Sequence, residues 1–217
     1  MWIVFLLLTS IGLAEPLSGP SPIEALSRSL SPTPSCPNSI SVINLPSWVD
    51  PKDPRLQNKG LIVVHKEIRR ISRFDRGQMV FRDGQPMCWN IGLGFTPKDH
   101  KQVEGDGKTP EGWYRTSDKP WSQFYAAIAV HYPNVKDANA GHSLGRISSK
   151  VRRQIERAIQ ADEKPHQTTA LGGEILIHGG GSATDWTLGC IAMDNDDIDR
   201  LRSTIPENIQ TDVLILP

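Results

Sequence analysis

The 217-residue sequence has no surplus of charge: 24 lysines and arginines stand against 24 aspartates and glutamates. That balance excludes attraction to nucleic acid or to a membrane surface through bulk charge. A long hydrophobic run is missing as well. The most apolar stretch, Trp2 to Leu13, is shorter than the ~20 residues a spanning helix needs. There is no internal repeat, and no C-x-x-C or H-x-x-x-H spacing of the kind metal sites use. Cysteine is scarce and odd in number: Cys36, Cys88 and Cys190. Three cysteines cannot all pair within one chain.

What is present points to one domain with an appendage. Seventeen prolines and eighteen glycines imply many turns and a β-rich or mixed fold rather than a helical bundle. Residues 1–14 read as a secretory signal, with an apolar run and small residues at Gly12 and Ala14, although no basic residue precedes the run. Glu15 follows, not cysteine, which argues against a lipid-anchored start. Residues 15–58 are rich in Pro and Ser and read as a linker or a loosely packed arm. Within them "INLPSWVDP" either packs on the domain through Trp48 or is a free tether. Residues 59–217 form the domain.

Its elements can be read from period and punctuation. "LIVVHK" is a buried strand, and Asp75-Arg76-Gly77 marks a hairpin. "MCWNIGLG", Trp113–Thr116, "FYAAIAVHYPN", "GGEILIHGG" and the closing "TDVLIL" are further strands. From Ile147 to Asp162 the period changes. Ile147, Val151, Ile155, Ala158 and Ile159 share one helical face, and Arg152, Arg153, Glu156 and Arg157 the other. "DNDDIDRLRSTIP" is a short helix ending at Pro206.

One stretch concentrates chemistry: "IHGGGSATDWTLGCIAM", Ile177 to Met193. His178 ends an apolar strand, and glycines follow it. Cys190 lies twelve positions on, directly after Gly189. A nucleophilic thiol needs a base within reach to supply thiolate at neutral pH. A glycine-rich return of this length can bring the two together. Gly189 also frees backbone N–H groups to hold a tetrahedral oxyanion. Whether Cys36 pairs with Cys88 or all three thiols are free, Cys190 remains available.

These residues resemble the YkuD-type L,D-transpeptidases, the ErfK/YbiS/YcfS/YnhG group. "IHG" and "TLGCIAM" match the signature, and "EGDGKTPEGWY" matches the family's upstream turn. Leu188 stands where many members have histidine, and Ala192 where many have arginine. Both changes, with "YPN" and Asp137, are similar to the YafK-like branch. The resemblance runs from about Leu61 to Pro217. It implies a mainly β, β-sandwich-like catalytic domain with added helices, one of them an insertion near 147–162 and one short and C-terminal. It implies that Cys190 attacks the third residue of a peptidoglycan stem peptide and that terminal D-alanine leaves. A thioester then passes to an amine of a second stem or of an envelope-protein lysine, or to water. His178 would activate the thiol, the Gly179 carbonyl would orient the imidazole, and N–H groups of Leu188, Gly189 and Cys190 would hold the oxyanion. No metal or organic cofactor is implied, nor any nucleic-acid partner. The implied location is the periplasm or cell envelope.

Thr187, Trp186, His100 and Asp106 are candidate substrate contacts. Each also has a plainer reading as turn, packing or solvated loop. Three other functions compete: a thiol hydrolase or amidase of the same fold, a non-catalytic wall-binding module, and a metal site of His178, Asp185 and Cys190. The intact cysteine and histidine argue against the second, and the missing ligand spacing against the third. The segment 136–171 either narrows the cleft as a lid or caps the far side of the sheet.

Overall fold

The apolar runs near the two ends of the domain pair with each other. In the computed structural model, which describes residues 36–119, 122–205 and 209–217, β1 (Lys59–His65) lies parallel to β11 (Thr211–Leu216), Ile62 opposite Val213 and Val64 opposite Ile215. Both faces of this pair are covered, so neither run alternates with polar residues. Ile62, Val64, Val213 and Ile215 enter the main core, while Leu61, Val63, Leu214 and Leu216 enter a second cluster. The expected signal at 1–14, the first part of the expected linker and the helix end at Pro206 lie outside the described residues.

Around this pair the described strands form a curled nine-stranded sheet in the order β10-β9-β8-β7-β11-β1-β2-β3, with β6 also on β2. β2 (Arg70–Asp75) and β3 (Gln78–Met79) make the expected hairpin. Arg76 and Gly77 at its tip both have positive φ, 48° and 75°, as a two-residue turn between twisted strands requires. β4 (Phe81–Arg82) and β5 (Gln85–Pro86) form a separate small hairpin. β6 (Cys88–Asn90), β7 (Gly112–Asp118), β8 (Ala127–Val130), β9 (Leu176–His178) and β10 (Ile191–Ala192) complete the set. The fold is mainly β with added helices.

Three α-helices are described. α1 (Val135–Ser143) was not visible in the hydrophobic period, because "VKDANAGHS" is mostly small and polar. Its signal is a capping box: Asn134 accepts from Asp137 N–H, and the Asp137 carboxylate accepts from Asn134 N–H. α2 (Ser149–Gln160) is the helix expected at 147–162, with Ser148 as its N-cap. α3 (Asn195–Arg202) is the short helix before the last strand. Ala138, Ile147 and Ile155 sink into the main core. The helical part of 136–171 therefore caps the core, and only its return reaches the cleft described below.

Residues 36–58 lie on the second cluster. Ile40, Val49 and Leu56 are buried there against Leu61, Phe74 and Leu214, each burial contributing roughly 1.5–3 kcal/mol. The contact runs through Val49, whereas Trp48 stays 37% exposed. A disulfide joins Cys36 to Cys88 on β6, and Cys190 is free. Among the described residues no helix is long and apolar enough to cross a membrane.

Candidate active site

Strand register brings Cys190 and His178 to one place. β9 and β10 run parallel, with Ile177 opposite Ile191 and His178 opposite Ala192. Side chains alternate along a strand, so Leu176, His178 and Cys190 share one face. Ile177 and Ile191 point the other way, into the main core.

The turn before the cysteine is shaped by close backbone contacts. Gly189 has φ +126°, and a Cβ there would lie 2.6 Å from Lys108 O. A Cβ on Gly94 would lie 2.0 Å from Gly107 O and 3.0 Å from Gly189 Cα. The "GDGKTPEG" turn thus packs directly against the cysteine loop. Thr187 closes that loop from within: its Oγ1 donates to Cys190 O at 2.8 Å and accepts from Gly189 N–H at 3.1 Å. In the resting loop the Gly189 N–H is held by Thr187.

His178 is fully buried. Its ring stacks on Phe124, centroids 4.1 Å apart, and meets Trp186 edge-on at 5.6 Å. Nδ1 lies 2.6 Å from Gly179 O. A carbonyl can only accept, so Nδ1 carries the proton. Burial pushes the imidazole below its ordinary pKa, partly offset by the bond to Gly179. The ring is then neutral near pH 7 and Nε2 holds a lone pair. Nε2 is buried and has no hydrogen-bond partner among the described residues.

The Cys190 sulfur accepts from Leu176 N–H at 3.4 Å and donates to Glu174 O at 3.5 Å. Burial pushes this thiol up, with the Leu176 N–H and the Lys101 charge pulling in the opposite direction. Two neutral partners, a thiol and an unprotonated imidazole, therefore describe the resting pair.

Both open on one cleft of about 790 Å³. Trp186, Thr187 and Leu188 line it too, Leu188 being 74% exposed. Phe124, Lys119 and Glu174 are also among its lining residues. Sequence reasoning had no signal for Phe124, because the stack joins residues far apart in the chain. His100 and Asp106 are not among the lining residues. His100 Nδ1 accepts from Glu111 N–H at 2.9 Å, and Nε2 meets Asp137 at 3.2 Å. Asp106 turns both oxygens into its own loop, accepting from Gln102, Val103 and Lys108 N–H and from Lys101 Nζ. Asp185 is held by Arg69 at 2.6 Å and by Leu93 N–H. No cluster of three metal-ligating side chains occurs among the described residues.

A family model described as the YkuD L,D-transpeptidase catalytic domain matches residues 59–215. Solved structures with a similar fold include the helical cell shape determining protein Pgp2 from Campylobacter jejuni, 22% identical, TM-score 0.48, covering 72% of this chain and 47% of that one. Bd1075 from Bdellovibrio bacteriovorus is 24% identical, TM-score 0.43, covering 76% and 50%. An L,D-transpeptidase from Xylanimonas cellulosilytica is 12% identical, TM-score 0.41, covering 75% and 62%. The chain spans about half the length of the first two. A comparison with curated proteins finds no match.

Proposed function

The chain belongs to the L,D-transpeptidase (YkuD) catalytic-domain family, and from that premise we propose that it is a cysteine acyltransferase acting on peptidoglycan stem peptides in the cell envelope. The observation that carries this reading is the tautomer of His178. Its Nδ1 proton is tied to Gly179 O, and its buried Nε2 lone pair is left over on the face that holds Cys190.

The reaction runs in two halves. Nε2 takes the Cys190 proton while Sγ attacks the carbonyl carbon of the third stem residue. The carbonyl oxygen becomes an oxyanion, held by N–H groups of the 188–190 turn. Leu188 and Cys190 supply them first, and Gly189 joins by exchanging Thr187 Oγ1 for the oxyanion. The bond to terminal D-alanine then breaks, and its amine leaves with the proton from Nε2. An acceptor amine, from a second stem or an envelope-protein lysine, attacks the thioester. His178 takes the amine's proton and returns it to the departing sulfur. Water as acceptor gives the free acid by the same steps. Phe124 and Trp186 fix the imidazole plane, and Trp186 with Thr187 and Leu188 forms the wall along which the donor stem lies. Export through residues 1–14 would deliver the free thiol to this substrate.

The test is to incubate the protein with a disaccharide-tetrapeptide, with and without an amine acceptor, and to follow products by mass. D-alanine release, a thioester on Cys190 and an acceptor-linked product are expected. Free acid alone, with acceptor present, would replace transferase by hydrolase. Equal D-alanine release by the Cys190→Ser variant would remove the thiol mechanism.

A further inference from the structure

Glu174 touches the nucleophile with its backbone and is held in place by its side chain. Its φ is +50°, in the left-handed region that strains a non-glycine residue. In that conformation its carbonyl faces the Cys190 thiol. Three contacts retain it. The carboxylate meets Lys119 Nζ at 2.5 Å and Lys164 Nζ at 3.5 Å. The backbone N–H donates to Gln167 Oε1 at 2.8 Å, and Gln167 Nε2 is itself anchored on Tyr132 O at 3.1 Å. Meanwhile the proton acceptor on His178 has no partner among the described residues.

We propose that Glu174 is a positioning residue: its clamped, left-handed backbone aims its carbonyl at the Cys190 S–H and parks the thiol off His178 until substrate enters the cleft. This rests on the reading of Cys190 and His178 as nucleophile and base. A neutral thiol can donate to a carbonyl oxygen, but a thiolate facing the same oxygen is repelled by it. The contact therefore favours the protonated sulfur. A substrate ammonium or amide N–H that engages Glu174 competes with the S–H and frees the side chain to turn to Nε2. Such a turn is a rotamer change, fast compared with chemistry.

Lys101, Glu104, Lys119, Glu174 and His178 are the other titratable groups that line the cleft around the sulfur. Their charges alone make a prediction opposite to parking. Lys119 favours the thiolate by attraction, so field effects say that Lys119→Met slows reaction of the thiol. Parking says that loss of the clamp lets the carbonyl relax and speeds it.

The experiment uses the full chain with its disulfide intact and neutral iodoacetamide as probe, which leaves Cys190 as the reactive thiol. Alkylation is followed by mass from pH 6 to 9 in wild type, Lys119→Met and Lys164→Met. In Lys119→Met the rate at pH 7 is expected to rise about threefold, an apparent shift of about half a pKa unit downward. Lys164→Met, at a longer contact, gives a smaller rise in the same direction. Slower or unchanged alkylation in both variants overturns parking. The probe needs no substrate, so this outcome is separate from the acyl-transfer reading, which fails instead if His178→Gln keeps full turnover.

Discussion

On the β11-β1-β2-β3 side of the sheet, the face that carries Leu61, Val63, Phe74, Leu214 and Leu216 lies under residues 36–58, and Cys88 there is bonded to Cys36. Strand register carries the same face across β7 and β8 to Ala127, Ala129, Leu176 and His178. At this far end it opens on the cleft, and the cysteine is free. One surface is thus covered on one side of the sheet and open on the other. The difference lies in what covers it. Large aliphatic residues at the sealed end require an apolar lid, which the arm supplies. Alanines at the open end leave room for Phe124 to stack on the histidine ring. With Cys36 and Cys88 joined to each other, Cys190 has no second cysteine of this chain left to pair with.

The comparison is broken most sharply at the open end. Cys190→Ser should abolish turnover with the fold intact, because the same base cannot populate an alkoxide. His178→Gln should lower kcat by about 10²–10⁴-fold, the usual range for a lost general base. The pH profile has a stated sign. The base must be neutral, and burial holds its pKa below the ordinary imidazole value of about 6.5. Activity therefore persists as pH falls through 6.5 and is lost only lower down. An acid limb at or above 6.5 in kcat/KM would contradict the buried, neutral imidazole.

The sealed end should respond in stability and not in chemistry. The Cys36–Cys88 bond closes a separation of 52 residues, for which loop entropy gives about 4 kcal/mol. Replacing both cysteines by serine should cost about that much in urea unfolding, while alkylation of Cys190 in the folded protein keeps its rate. Leu56, 2% exposed under the arm, should cost about 2–5 kcal/mol as Leu56→Ala, again without a change in thiol reactivity. A loss of activity larger than the loss of folded protein would mean that the two ends are coupled.

How much of this was legible in the chain varies with the kind of signal. Strands buried on both faces announce themselves as unbroken runs, as "LIVV" and "VLIL" do. α2 is legible because its apolar residues keep a helical period. Cys190 and His178 stand out because glycines flank both in a fixed order. The resemblance to the L,D-transpeptidases rests on those glycines and on the "GDGKTPEG" turn, whose tight packing against Gly94 and Gly189 gives it a physical reason. α1 is illegible by period and legible only through Asn134 and Asp137. Phe124 and Glu174 carry no local signal at all. One acts through a stack across 54 positions, the other through a backbone conformation that its residue type disfavours. His100 and Asp106, candidate substrate contacts by sequence, are not among the cleft's lining residues: Asp106 holds its own loop, and His100 accepts from Glu111 N–H and meets Asp137.

Two buried histidines on this same face sharpen the contrast further. His131, 2% exposed, has its Nε2 against Ser117 Oγ at 2.9 Å, whereas Nε2 of His178 has no partner among the described residues. Burial, with Lys164 nearby, lowers His131 to about 4. The folded state resists protonation there, so its contribution is fully present above the unfolded value of about 6.5 and is lost as pH falls from 6.5 toward 4. The loss reaches up to about 3 kcal/mol. His131→Gln should shrink the stability difference between pH 7.5 and 4.5, read by urea unfolding, by an amount of that order. An unchanged difference would mean that His131 is not kept neutral by its burial.

The smallest effect should come from the leucine on the open rim. Leu188 on the rim of the cleft and Leu56 in the covering arm are the same residue type, 74% and 2% exposed. A surface side chain so exposed contributes within about 0.5 kcal/mol to stability, so Leu188→Ala should leave the urea midpoint nearly where it was. Its value lies in binding. If the donor stem lies along the wall of Trp186, Thr187 and Leu188, truncation removes about 1 kcal/mol of apolar contact. That is about a fivefold rise in donor KM. The contact is made equally with ground and transition state, so kcat should hold. A fall in kcat with KM unchanged would place Leu188 at the reacting carbonyl instead. A stability loss matching that of Leu56→Ala would show that the rim is sealed as tightly as the arm, and the contrast between the two ends would collapse.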